Sequence, residues 1–298
     1  MVMCYTITKK EVNEHMKLGM TFEGGASRTM FSCGVSDAFL EEGLMPDYFV
    51  GVSAGIAFGI SYLAKQKGRN LRLAKEYMHD KQYQGFKYLL NKEKKTFYNV
   101  EYVFGEVPNK LLPFDYDAFA AYPGKVVATV TNIHTGKAEY IEVPRDNSHY
   151  DLIVASCSLP VLFQPVKVGR HYYLDGGISD SIPFEQAIRE GCDKNIVVLT
   201  RERDYVKKTE RGIKVSGLIY KKYPNVVKGL YERADNYNAS MQELLRLEKE
   251  GKVFVIAPDT TFGIGRTESD PKMLELLYEE GYLKGKEQMV ALKNYLNS

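Results

Sequence analysis

The sequence predicts an α/β fold in which a mostly parallel central sheet carries helices on both faces. Three observations lead there. Short apolar runs at 17–23, 47–53, 124–132, 194–202 and 252–259 have the near-continuous Val, Ile and Phe character of strands buried on both sides. Segments of helical period separate them, the alternation that builds crossover units. The length, 298 residues, is close to the size at which one core stops growing, roughly 250 to 300 residues. No repeat, low-complexity stretch or linker divides the chain, so one domain over 1–298 is expected, with a core at 17–200 and a helical and strand extension of the same domain at 205–298.

Each element has a local cause. The strand at 17–23 is ended by "GGAS", and the periodic "RTMFSCGVSDAFLEEG" then reads as a helix with Phe31, Val35, Ala38 and Phe39 on one face. "DYFVGVS" is a strand running into a sharp turn, and "AGIAFGISYLAKQKG" a helix so apolar in its first turns that most of its sides must be covered. The stretch 75–107 mixes lysines with Tyr77, Tyr83, Phe86 and Tyr88. It reads as a helical excursion near the mouth of the site, with solvated lysines flanking core aromatics preferred over a lipid-facing surface.

Further on, "GKVVATVTN" is a buried strand, "IHTGK" a turn and "AEYIEV" its hairpin partner at the sheet edge. A helix at 148–158 is stopped by Pro160. Two short strands surround Gly169 and Arg170, a helix starts at Pro183, and a helical region at 215–251 precedes the last strand and two helices from Pro271 onward.

Composition excludes several functions. Hydrophobic residues at 44% and charged residues at 26% describe an ordinary globule. Forty basic against 38 acidic residues leave a formal charge of +2, which offers a polyanion no general attraction, so nucleic acid is not an expected partner. Cys4, Cys33, Cys157 and Cys192 are scattered, without a paired-thiol or zinc spacing. The first 20 residues carry Lys9, Lys10, Glu11, Glu14 and Lys17 rather than an apolar leader, so a cytoplasmic location, at most peripheral to a membrane, is expected.

The sharpest chemical signal is "FVGVSAGIAF", with Gly51 and Gly55 two positions on either side of Ser53. A strand that turns at once into a helix pushes the central hydroxyl out of the sheet, and the flanking glycines let neighbouring backbone approach. The helix start at Ala54 adds unpaired N–H groups where negative charge would develop. The earlier "EGGASRTMF" has neither the lysine of a phosphate loop nor the G-x-G-x-x-G of a dinucleotide turn. An oxyanion loop fits it instead, with N–H donors from Gly24, Gly25 and Ala26 and with Arg28 as loop support.

The base is less obvious. None of His15, His79, His134, His149 and His171 follows Asp175, so the usual order of nucleophile, acid and histidine is unavailable through that acid. Asp175 closes an apolar strand before two glycines, where its carboxylate can reach a serine across the sheet edge. His171 shares its strand face and stays open as an alternative partner for Ser53.

Four motifs in this order, "EGGASR" at 23–28, "GVSAG" at 51–55, "ASCSLPVLFQPV" at 155–166 and "DGG" at 175–177, resemble the patatin-like phospholipase family of bacterial type. The resemblance covers about residues 17–200. It implies a three-layer patatin-like architecture, a Ser-Asp dyad of Ser53 and Asp175, an oxyanion loop of Gly24, Gly25 and Ala26, and scaffolding by Ser156, Ser158 and Pro160 near the dyad. Two positions depart from the family pattern, with Ala26 where the glycine run usually continues and Thr29 where glycine commonly follows the arginine. The implied activity is hydrolysis of acyl esters of lipids such as phospholipids or lysophospholipids, with no metal and no cofactor, and with transient contact to a membrane surface. A catalytically silent lipid-binding or scaffold protein and an acyltransferase are the alternatives.

Overall fold

The computed structural model describes residues 16–90, 96–146, 150–209 and 213–298. Cys4, His15 and His149, the end of the lysine-rich stretch and the polar start expected for the 148–158 helix lie outside the described residues. Eight strands form one sheet: β1 (Leu18–Phe22), β2 (Tyr48–Val52), β3 (Lys125–Asn132), β4 (Ala138–Glu142), β5 (Val166–Val168), β6 (His171–Asp175), β7 (Lys194–Val198) and β8 (Phe254–Ile256). The helices between β1 and β3 are α1 (Met30–Glu41), α2 (Ala54–Leu63), α3 (Arg69–Glu76), α4 (Phe86–Leu89) and α5 (Tyr116–Ala121). After the hairpin come α6 (Tyr150–Ser156), α7 (Phe184–Arg189), α8 (Ile213–Ile219), α9 (Pro224–Lys249), α10 (Pro271–Glu287) and α11 (Met289–Leu296).

The sheet is parallel where it is buried deepest. β1 lies between β2 and β7, all five of its residues are buried, and β2–β3 and β7–β8 continue the parallel pairing. Antiparallel pairing begins only at β3, with β4 and β6, and between β5 and β6. Alternate side chains go to opposite faces. Met20, Phe49, Ala128 and Val198 meet α1, α2 and α10, whereas Val50, Val127, Val197 and Val255 lie under α7 and α9. Among the described residues no helix is long and apolar enough to cross a membrane.

β3 carries the feature that positions the site. β4 pairs with Val127 to Thr131 along one edge. On the other edge β2 pairs with Lys125 to Thr129, and there it ends. β6 takes over that same edge from the opposite direction, with Asp175 opposite Val130, Leu174 opposite Thr131 and Tyr173 opposite Asn132. Val52 and Asp175 therefore face consecutive residues of one strand.

The stretch 75–107 does two things at once. Of the aromatics assigned to the core, Tyr83 is buried, Tyr77 and Tyr88 are half-buried and Phe86 stands 79% exposed. It runs into a wide helical turn, Tyr102–Leu111, that contains Pro108 and closes with a bond from Leu112 N–H to the Val107 carbonyl. Tyr83, Tyr98, Val103 and Phe104 from this segment roof an apolar cavity next to α2.

α10 crosses α1 at backbone contact. A methyl group at Gly281 would overlap the Phe31 carbonyl, and one at Gly34 would overlap the backbone of Tyr278 and Tyr282. The buried Asp37 carboxylate also accepts from Tyr278 Oη at 2.7 Å. Gly281→Ala is expected to lower the stability by about 1–3 kcal/mol through forced overpacking, read as an earlier midpoint in urea unfolding. A change below about 0.5 kcal/mol, the scale of a neutral surface substitution, would contradict so close a crossing.

Candidate active site

Ser53 sits at the step from β2 to α2 with φ 55° and ψ −130°, a conformation rare for a residue with a side chain. Strain of this kind costs of order 1–3 kcal/mol and persists only where the surroundings dictate it. They do so here. A Cβ on Gly51 would come within 2.7 Å of Ile56 N, and one on Gly55 within 2.5 Å of the Phe22 carbonyl. The Ser53 N–H donates to Ser156 Oγ at 2.8 Å, and that hydroxyl in turn donates to the Thr129 carbonyl at 2.7 Å. Ser156 thus bolts the turn to the β3 residue that β2 pairs with last.

Asp175 arrives on β6 at the neighbouring rung. Its N–H donates to the Ser158 carbonyl at 2.9 Å, and Thr131 Oγ1 donates to its carbonyl at 2.8 Å. The glycines after it have separate uses. A Cβ on Gly176 would overlap the Thr129 carbonyl, and the Gly177 N–H donates to Asp175 Oδ1 at 2.7 Å. Oδ2 is buried and has no hydrogen bond of ordinary geometry among the described residues.

The carboxylate is 1% exposed, and burial pushes its pKa above the usual 3.8. Arg233, the neighbouring Ser53 hydroxyl, the Gly177 N–H and Arg266 each pull it back down without cancelling that rise. Ser53 is thus close enough to act on the charge, though its hydroxyl does not close a well-aligned bond to Oδ2. Unliganded sites often hold such pairs long or misaligned.

The loop after β1 lies over this turn. A Cβ on Gly24 would approach the Val52 carbonyl at 2.7 Å and Ser53 Cβ at 2.9 Å, and one on Gly25 would meet Thr200 Oγ1 at 2.6 Å. Ala26 takes φ 50°, the left-handed backbone that glycine adopts without strain. No carbonyl takes up the N–H groups of Gly24, Gly25 or Ala26 among the described residues, and those of Ala54 and Gly55 at the start of α2 are likewise unclaimed. Ser27 anchors the loop, its hydroxyl reaching the Arg266 carbonyl at 3.0 Å and the Glu268 carbonyl at 2.7 Å. Thr200 adds a bond to the Gly24 carbonyl at 3.2 Å. Arg28, 9% exposed, enters the same space, with Nε buried and without a hydrogen-bond partner among the described residues.

Two cavities meet at Ser53. One is apolar and lined by α2, the roof segment and Ile153, Leu162 and Phe163. The other, about 380 Å³ and within the ordinary range for a ligand pocket, is polar and contains Asp175 and the Gly24–Ala26 loop. Ser53, Ala26, Leu159 and Arg266 border both. No histidine lines either cavity among the described residues, and His171 is exposed at the far end of β6, against Tyr173.

Some neighbours carry little signal in the sequence. The Cys157 thiol lies beside the Ser53 hydroxyl and feels the charge of the Asp175 carboxylate, and burial pushes its pKa far up, so it stays protonated. Its place between Ser156 and Ser158 in "ASCSLP" is the only hint. Arg201 and Lys207 on the segment after β7, Arg233 on α9 and Arg266 before α10 all line the polar cavity, with no motif to join the three segments.

A family model described as patatin-like phospholipase matches residues 20–188, and one described as a domain of unknown function, DUF6363, matches 223–297. The curated "Uncharacterized protein YjjU" of Escherichia coli (strain K12) is 26% identical over 188 residues, 62% of this chain and 52% of that protein, so the match spans about half of that relative. Among solved structures, VipD from Legionella pneumophila is similar with a TM-score of 0.46 and 12% identity over 93% of this chain and 67% of that one.

Ser156→Ala leaves the Ser53 N–H and the Thr129 carbonyl unsatisfied. It should cost about 1–3 kcal/mol, as buried groups that lose a partner do, measured by urea unfolding. An unchanged midpoint would show that the bridge does not hold the turn.

Proposed function

The chain belongs to the patatin-like phospholipase family, and from that premise we propose that it is a serine acyl hydrolase acting on lipid esters, with Ser53 as nucleophile and Asp175 as its base. The observation that supports this most is the shared edge of β3, where the residue before Ser53 and Asp175 face the consecutive Thr129 and Val130.

In this mechanism the Asp175 carboxylate accepts the Ser53 proton as Oγ attacks the ester carbonyl carbon. The carbonyl electron pair moves to oxygen, where N–H groups of Gly24, Gly25 and Ala26, with Ala54 opposite, supply the donors. Collapse expels the alcohol, which takes the proton back from Asp175 and leaves an acyl-enzyme. Water then attacks with Asp175 again as base, and Ser53 is restored. Burial raises the basicity of Asp175 above that of a solvated aspartate, the direction a direct base needs.

The positive φ of Ala26 bears on the catalytically silent alternative. That reading draws its motive from the missing glycine, yet the backbone turn that glycine would favour is kept. The acyl chain of the substrate is assigned to the apolar cavity. Phe86 and Leu90, 79% and 83% exposed beside its roof, favour brief contact with a lipid surface.

A fluorophosphonate should add one adduct, located by mass spectrometry on Ser53, and Ser53→Ala should abolish both labelling and ester turnover. Asp175→Asn should lower kcat by about 10²–10⁴, the range of a lost general base, with the circular dichroism spectrum unchanged. An adduct elsewhere, or full turnover in either variant, rejects the assignment.

The base works as a carboxylate, so kcat/KM should rise with pH through an apparent pKa above 3.8. Asp175→Asn should remove that limb. A limb that persists in this variant belongs to another group.

A further inference from the structure

The polar cavity is unusual for a chain with a formal charge of only +2. Arg28, Arg201, Lys207, Arg233 and Arg266 line it, against Glu23 and Asp175 as the acids. Both acids are buried to within 3% of full enclosure. Glu23 is turned inward, its Oε2 accepting the Thr200 N–H at 2.6 Å. Arg28 is 9% exposed with an unpartnered Nε, and burial followed by the charge of Arg201 pushes its pKa down to about 10, with Arg266 adding to that fall. Arg28 thus lies buried beside other cations in a chamber whose charged lining is mainly basic, a wall suited to an anion.

We propose that this chamber binds the phosphate of an anionic headgroup, so that the substrates of this chain are acidic phospholipids or lysophospholipids rather than choline or ethanolamine lipids. The inference rests on the reading of Ser53 given above. The geometry supplies its direction: Ser53 and Ala26 border both the apolar cavity and the cationic one. A molecule that puts an ester carbonyl at Ser53 and its chain under Tyr98 and Phe104 leaves its polar end among the arginines. Guanidinium groups bind phosphate oxygens in forked pairs. An ammonium headgroup would meet five basic side chains against two acids, so the chamber selects by repulsion as well as attraction.

Arg201, Lys207, Arg233 and Arg266 lie outside residues 20–188, the part matched by the patatin-like family model. Arg201 and Lys207 stack on Tyr205 and Tyr237 at 4.4 and 4.5 Å, and Arg201 also lies 4.0 Å from Glu202. The selectivity is therefore a property of the later half of this chain.

The test separates binding from turnover. Calorimetry on Ser53→Ala with monomeric twelve-carbon lysophosphatidylglycerol should give a Kd at least tenfold below that for lysophosphatidylcholine of the same chain. The advantage should shrink as salt rises, because screening weakens it. Inorganic phosphate as competitor tells the sources apart: weak competition assigns the chamber to a headgroup, and competition as strong as the lysolipid assigns it to free phosphate. In the active protein, Arg201→Gln and Lys207→Gln should each lower the ratio of kcat/KM for the anionic over the zwitterionic substrate by about tenfold. Equal binding of the two lysolipids, or equal losses on both substrates, overturns the proposal. Selective binding beside an unlabelled Ser53 would overturn the hydrolase reading and leave the anion chamber standing.

Discussion

One edge of one strand organises the molecule. β2 stops at Thr129 of β3, and β6 begins at Val130 on the same edge, from the opposite direction. Two chain segments that meet end to end on a shared ladder bring their terminal side chains within reach. They do so with backbone hydrogen bonds that tolerate almost any sequence. What the sequence must add is a way for both to leave the ladder without collision. Gly51 and Gly55 provide it for the first, and Gly176 for the second, where a Cβ would strike the Thr129 carbonyl. Ser156 then ties the departure of Ser53 to Thr129, and the Ser158 carbonyl ties the arrival of Asp175.

Local chemistry made much of this legible. The order of strands and helices followed from apolar period and punctuation, and the turn at Ser53 from glycines at fixed offsets. The scaffolding role of the serines in "ASCSLP" came only with the family resemblance. What could not be read was register. Nothing in "YFVGV" or "HYYLD" states that the two share an edge of β3, because pairing is decided by the whole sheet and leaves no period of its own. The arginines of the polar cavity are illegible for a similar reason. Arg28, Arg201, Arg233 and Arg266 converge through the ends of β1 and β7, a face of α9 and the loop before α10, and a neutral overall composition conceals them. The aromatic stretch 75–107 has no single period to sort its rings, and the fold puts Tyr83 inside and Phe86 outside.

Two strained residues stand where the cavities join. Ser53 and Ala26 both hold positive φ, and both border the apolar and the polar space. Each would relax if unsupported, at a gain of order 1–3 kcal/mol. Ser27, bonded to the 266–268 segment, and Thr200, bonded to Gly24, oppose that relaxation from the later part of the chain. The extension after residue 200 therefore shapes the loop as well as walling the cavity.

The charges around Asp175 link the two halves of the site. Burial raises its pKa, while Arg233 on α9, Arg266 on the loop before α10, Ser53 at the turn and the Gly177 N–H lower it, and the protonated Cys157 on the other side adds no charge. The two arginines are the only ones of these that an entering anion would engage. On the proposed reading, a phosphate held by them shares their field and withdraws part of what stabilises the carboxylate, which makes Asp175 a stronger base while an anionic substrate is seated. Water leaving the chamber acts in the same direction, since desolvation already dominates the shift. A zwitterionic lipid brings an ammonium along with its phosphate and recovers less of this gain. In that reading headgroup charge and proton transfer are coupled through Arg233 and Arg266, the two cations whose charge already acts on Asp175.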